Sequence, residues 1–237
     1  MKKRKIILHA HIFKNAGTTF DFSLRRSFGD GFVDHREDDK MLKGKQDYLE
    51  EFLDENPYVK AVSSHSIHFI PENNDRYKYF CIYILRHPIE RMRSVYDFEK
   101  RQNTENLGAR KAKELQFDEY VQWRMSDDVP ATIRNCQTIF LSGEGPGADR
   151  VDEKFKLAMA NMRNSLVGIT HRYDESMIYF ESKLKKAFPG IDLAYIRKNI
   201  TDKNVESSLK EKINEVYKRI GDKRLKKLIL DKNKFDI

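Results

Sequence analysis

The chain has 237 residues, with 45 Lys and Arg against 37 Asp and Glu for a net charge of +8, and 35% charged against 39% hydrophobic residues. Its 15 Phe and 11 Tyr supply enough bulky core material to exclude a disordered chain, and no window approaches the ~18 apolar residues of a membrane span. Neither linkers nor internal repeats divide the sequence, so one domain over 1–237 is expected. The basic start MKKRK leads into an apolar run broken by His9 and His11, with no small-residue cleavage site, so the reading is a cytoplasmic protein. Cys81 and Cys136 lie far apart in apolar stretches and are expected to be buried and reduced. The positive charge favours anionic ligands, although much of the excess lies in the final stretch KRIGDKRLKKLILDKNKF. No helix-turn-helix, zinc-finger or RNA-recognition signature is present, so nucleic acid is not the expected partner.

The apolar run Ile6, Ile7, Leu8 reads as a strand, HIFKNAG as a polar turn, and the spacing of Phe20, Leu24 and Phe28 predicts a helix. In such a strand–loop–helix unit Gly17 leaves room for a ligand. Thr18 and Thr19 stand where the first helical N–H groups are free, and the helix dipole adds a positive end. Lys14 supplies a cation in the same turn, so a phosphate or sulfate ester is the expected guest. A Walker A loop differs, because there the lysine directly follows the second glycine, whereas Lys14 precedes Gly17 by three residues.

Residues 30–44 read as polar and irregular, and KQDYLEEFLDENP as a short helix carrying Tyr48, Leu49, Phe52 and Leu53 on one side and closed by Pro57. YVKAVSS is a second strand that delivers His65 and His68 to the carboxyl end of a parallel sheet, where ligands bind in α/β folds. A histidine of near-neutral pKa there is a candidate general base. YFCIYIL is a strand buried on both faces. Pro88 opens the next helix, whose stripe is Ile89, Met92, Val95 and Tyr96. Arg86 leaves that strand, and Ser94 lies on the helix side away from the stripe; a guanidinium fork with a hydroxyl suits one phosphate group.

Two segments resemble the signatures of sulfotransferases that use 3′-phosphoadenosine-5′-phosphosulfate (PAPS), in particular the membrane-derived glycan type to which heparan sulfate 2-O-sulfotransferase belongs. HIFKNAGTTF is similar to H-x-x-K-x-G-G-T-[ST], with Ala16 in place of the first glycine and Asn15 of a small residue or Thr. ILRHPIERMRSVY is similar to [IL]-R-[DN]-P-x-[ED]-R-x-x-S-x-[YF], with His87 where Asp or Asn is usual. The resemblance implies an α/β, P-loop-like three-layer domain with a mainly parallel central sheet flanked by helices. It implies PAPS as donor, the bisphosphate PAP as product, no metal, and a hydroxyl-bearing acceptor, most naturally a glycan. Lys14, Asn15, Ala16, Gly17, Thr18 and Thr19 would hold the 5′-phosphosulfate, Arg86 and Ser94 the 3′-phosphate, and Arg197 and Lys198 a loop over the nucleotide. SHSIHF is similar to the family's G-H-x-x-[YF], which makes His65 the catalytic base and His68 the reserve, with Lys14 stabilising the leaving oxygen.

The rest of the chain reads as scaffold. Residues 103–115 form a loop or solvated helix, and Phe117, Tyr120, Val121 and Arg124 mark another helix. NCQTIFLSG resembles the acceptor-binding part of the family. Arg124, Arg134 and Arg150 are expected on a solvated face, the alternative being contacts to an acidic acceptor. Two further helices with Met and Phe stripes flank the short strand SLVGIT, and an amphipathic helix from Val205 to Ile220 precedes a shorter basic one. A P-loop kinase and a non-catalytic polyanion-binding module remain as alternative readings, and the oligomeric state is left open.

Overall fold

A computed structural model describes residues 3–145, 147, 149–196 and 208–237. Strand β1 (Arg4–Ala10) feeds helix α1 (Gly17–Phe28), a short edge strand β2 (Phe32–Asp34) and helix α2 (Asp38–Glu55). Then come β3 (Ala61–Ser64), β4 (Tyr77–Leu85), α3 (Pro88–Arg101), α4 (Leu107–Glu114), α5 (Phe117–Met125), α6 (Cys136–Ser142) and α7 (Val151–Arg163). Strand β5 (Leu166–Ile169), α8 (Tyr173–Leu184), α9 (Leu209–Arg219) and α10 (Lys223–Lys232) complete the order.

The five strands form one sheet in the order β2-β3-β1-β4-β5, and every pairing is parallel. Because successive strand residues alternate faces, Ile6 and Leu8 enter a core with Met41, Leu49 and Leu53 of α2 and Phe140 and Leu141 of α6. Ile7 enters a second core on the opposite face, with Phe20 and Leu24 of α1 and Phe180 and Leu184 of α8. The expected three layers are therefore present, and burial on both faces explains why the β1 and β4 sequences are continuously apolar. A third cluster joins α3, α5, α9 and α10 through Met92, Val95, Tyr120, Val216 and Ile229.

The segment expected to be irregular holds β2 and the first half of α2. Lys45 breaks that helix with φ 46°, and the expected helix is its second half. Strand β2 has only three residues and α2 buries only Met41 ahead of the break, so neither carried a readable period. The arginines expected on a solvated face divide. Arg124 is buried and bonded through Nη2 to Glu99 at 2.6 Å, with Tyr120 alongside, and Arg134 is buried against Asp127 and the carbonyl of Val129. Arg150 is exposed as expected. Both cysteines are free, Cys81 buried and Cys136 half-buried.

Residues after α10 turn back onto α6. Both carboxylate oxygens of Asp236 accept from its first free N–H groups, those of Gln137 at 2.9 Å and Thr138 at 2.8 Å, and Asn233 Oδ1 accepts from Asn135 N. Among the described residues no helix is long and apolar enough to cross a membrane.

Candidate active site

The register sets Ala10 beside Ser64, and Leu85 beside Ile169. His11, His65, Arg86 and Thr170 therefore follow at one edge of the sheet, its carboxyl end. Between β1 and α1 the backbone makes a tight turn in which Lys14 and Ala16 both take the left-handed conformation, at φ 65° and 62°. Ala16 thus occupies the conformation that the family's glycine adopts freely, although an alanine there costs about 1–2 kcal/mol. Ala16→Gly is expected to raise stability by up to about 1 kcal/mol, the relief of strain being partly offset by the looser unfolded chain. A urea melt measures it, and an unchanged or lower midpoint would show that the turn is not strained.

Gly17 is required for a different reason. A Cβ on it would lie 2.1 Å from the His11 ring, so the imidazole packs directly against the first turn of α1. Ala16 O accepts from Thr19 N at 3.0 Å and Phe20 N at 3.3 Å, which leaves the N–H groups of Gly17 and Thr18 ahead of the helical ladder. Thr18 is exposed and Thr19 buried. The Asn15 side chain, assigned to donor binding, points inward instead. Its Nδ2 donates to Ile84 O at 2.8 Å and to Gln137 Oε1 at 2.7 Å. Gln137 in turn accepts from Arg86 N and donates to Arg86 O, both at 2.9 Å. Gln137 had been read with the acceptor region; it is the post that holds the loop to the end of β4.

Arg86 is half-buried. Its Nη1 donates to Lys14 O at 3.1 Å and its Nη2 to Glu90 Oε1 at 3.0 Å. Arg86 Nε and Glu90 Oε2 are buried without hydrogen-bond partners, so the fork holds unspent capacity. Ser94 lies one turn beyond Glu90 on α3, and Lys212 of α9 reaches Glu90 at 3.8 Å. His87 explains how the family's Asp or Asn is replaced, because it caps α3 with Nδ1 accepting from Ile89 N at 3.3 Å. Arg91 is a buried strut to the carbonyls of Phe13 and Thr132. Lys14 Nζ sits 4.3 Å over the Phe98 ring. Burial, then the Arg86 and Arg101 charges, lower its pKa to about 8. Arg197 and Lys198, assigned to a covering loop, lie outside the described residues.

The histidines have different tasks. His65 Nδ1 is 2.6 Å from His11 O. A carbonyl only accepts, so Nδ1 carries the proton and Nε2 keeps a lone pair. Burial, then the neighbouring His11, hold the His65 pKa below its ordinary value, so the ring is neutral near pH 7. His68 donates Nε2–H to His65 O at 2.9 Å, and its ring stacks on Phe140 at 4.1 Å. It is a prop beneath His65.

His9, His11 and Asp21 form a buried group that the sequence reading missed. His9 Nδ1 lies 2.8 Å from Asp21 Oδ1, and His11 Nδ1 lies 3.0 Å from Asp21 Oδ2. Burial acts to raise the Asp21 pKa, but the two imidazoles outweigh it and hold the carboxyl well below the usual range. The sequence suggested no cluster of metal-ligating type, and these three bring such atoms within 4.8 Å of one another. His9 Nδ1 is in hydrogen-bond contact with Asp21 and also lies 2.9 Å from Ser63 Oγ, whereas His11 Nδ1 meets Asp21 at ion-pair distance without hydrogen-bond geometry. The signal was the alternation His9-x-His11, which puts two imidazoles on one face of the chain leaving β1.

Fold and site together define an α/β protein with a tight strand-to-helix turn at the sheet edge, a guanidinium bonded to it and imidazoles packed beside it. Residues 1–237 match the sulfotransferase family over the whole chain, and the protein belongs to that family. An uncharacterized protein of Archaeoglobus fulgidus is 26% identical over 235 residues, covering 95% of this chain and 91% of the relative.

Proposed function

We propose that the protein transfers a sulfonate group from PAPS to an acceptor hydroxyl, most naturally on a carbohydrate, with His65 as general base. The observation that carries this reading is the direct contact of its two signature segments, Arg86 Nη1 donating to Lys14 O at 3.1 Å. One segment offers free N–H groups at a helix start, the other a guanidinium with unspent donors, so a ligand with two anionic ends fits both. When bound, the donor supplies an activated sulfonate on a phosphate leaving group.

Gly17 and Thr18 present their N–H groups to the phosphosulfate end, while Arg86 and Ser94 bind the 3′-phosphate and so distinguish this nucleotide from ATP. The Nε2 lone pair of His65 takes the proton of the acceptor hydroxyl. Lys14 places positive charge where the leaving oxygen gains its negative charge.

Calorimetric titration with adenosine 3′,5′-bisphosphate, against ATP with and without magnesium, tests the reading. Tight binding of the bisphosphate that is independent of magnesium is expected. Preference for magnesium-ATP would favour a P-loop kinase, and binding of polyanions without nucleotide preference would favour a non-catalytic module.

A further inference from the structure

The His9–Asp21–His11 group lies beside the donor loop, and the function proposed above gives it no role. Asp21 is buried, and among the described residues its ion-pair partners are the two imidazoles, with no Lys or Arg. The His11 ring stands between two places for negative charge. Nδ1 faces the carboxylate at 3.0 Å, while Nε2 and Cδ2 face Gly17, where the anion loop opens α1. An anion bound there with His11 neutral would have a second anion across one imidazole ring, in a buried place where charges are weakly screened. A proton on His11 turns that repulsion into two attractions, the ion pair with Asp21 at 3.0 Å and Nε2–H to the ligand.

We infer that donor binding draws a proton onto His11, so that the Asp21-backed imidazolium becomes a catalytic donor to the bound phosphosulfate while His65 stays neutral as the base. This rests on the sulfotransferase reading and adds to it a residue and a coupling. The balance is simple: one proton comes from solvent to His11 Nε2 as the anion enters and returns when the product leaves.

The groups facing His11 are Asp21 of α1, His9 of β1, His65 after β3, and Arg36 ahead of α2. Tyr173 of α8, whose hydroxyl is buried without a hydrogen-bond partner, faces Asp21. Burial leads the effects on His11 in the free protein and lowers its pKa in spite of Asp21. The proton is therefore absent before binding and available to be taken up. His65 has a carbonyl, not a carboxylate, behind its Nδ1, and it gains less from a proton.

Titration with adenosine 3′,5′-bisphosphate at pH 7.0 in buffers of different ionisation enthalpy measures the protons taken up. Lys14, with its pKa of about 8, is then ~90% charged and contributes only ~0.1 proton. The expected uptake is roughly one proton in the wild type, below about 0.3 in His11→Gln, clearly reduced in the isosteric Asp21→Asn, and retained in His65→Gln. Affinity should correspondingly weaken by up to tenfold per pH unit above neutrality. No uptake in the wild type, full uptake in His11→Gln, or loss in His65→Gln would each overturn the inference while leaving the donor reading intact. Absence of bisphosphate binding by the wild type would overturn the sulfotransferase reading, and the inference with it.

Discussion

Replacing His65 with alanine is expected to lower kcat by about 100-fold or more, the scale of a positioned base, while changing bisphosphate affinity little. The hydrogen bond from Nδ1 to His11 O is what fixes the reactive tautomer. His68→Ala should cost less, because it removes a prop and a ring contact rather than the group that takes the proton. Steady-state kinetics with a sulfated product assay separate the two. Full activity in His65→Ala with loss in His68→Ala would reverse the assignment. The pH profile carries a second check. If His65 acts as the neutral imidazole, as proposed, kcat should rise through a pKa below its ordinary value. If Lys14 acts as the cation, kcat should fall again as pH passes about 8.

Arg86→Ala should weaken bisphosphate binding by about 10- to 100-fold, the value of one or two charge-assisted hydrogen bonds. Among the described residues it leaves Glu90 with only the more distant Lys212 as a cationic partner. Arg86→Lys should recover little, because an ammonium cannot reach both Lys14 O and a phosphate as a planar fork does. Titration of the bisphosphate against adenosine 5′-phosphate distinguishes this from general damage. The difference in affinity between the two ligands should shrink in the variant, and an equal loss for both would place Arg86 in the scaffold.

The sequence disclosed the parts whose physics is local. A strand buried on both faces must be continuously apolar, so β1 and β4 were readable, and Pro88 followed by the stripe from Ile89 to Tyr96 marked α3 as plainly. Thr18, Arg86 and His65 stood out as candidates because they sit at the ends of such elements. Long-range pairings stayed hidden. Nothing near Arg124 in sequence shows that Glu99 waits for it in the core, whereas Arg134 is bound by its own sequence neighbourhood, Asp127 and the carbonyl of Val129, in a turn that carries no periodic pattern. Asn15 looked like a ligand contact because it lies in the loop, but its Nδ2 is held by Ile84 O and Gln137 and its Oδ1 is buried. Asp21 was concealed by its helix, where the one charged residue between Phe20 and Leu24 reads as solvent-facing.

The clamp of Asp236 on α6 also sets an order of assembly. Asn15 is held by Gln137 across 122 positions, and Gln137 N by Asp236 across 99. During synthesis the sheet and α1 can form early, since β1, β3 and β4 are all made within the first 85 residues. The loop between β1 and α1 reaches its final support only after residue 236 has left the ribosome. A nascent chain short of that residue would thus carry β1, β3 and β4 with a loosely held loop, and the nucleotide binding proposed above would have to wait for Asp236.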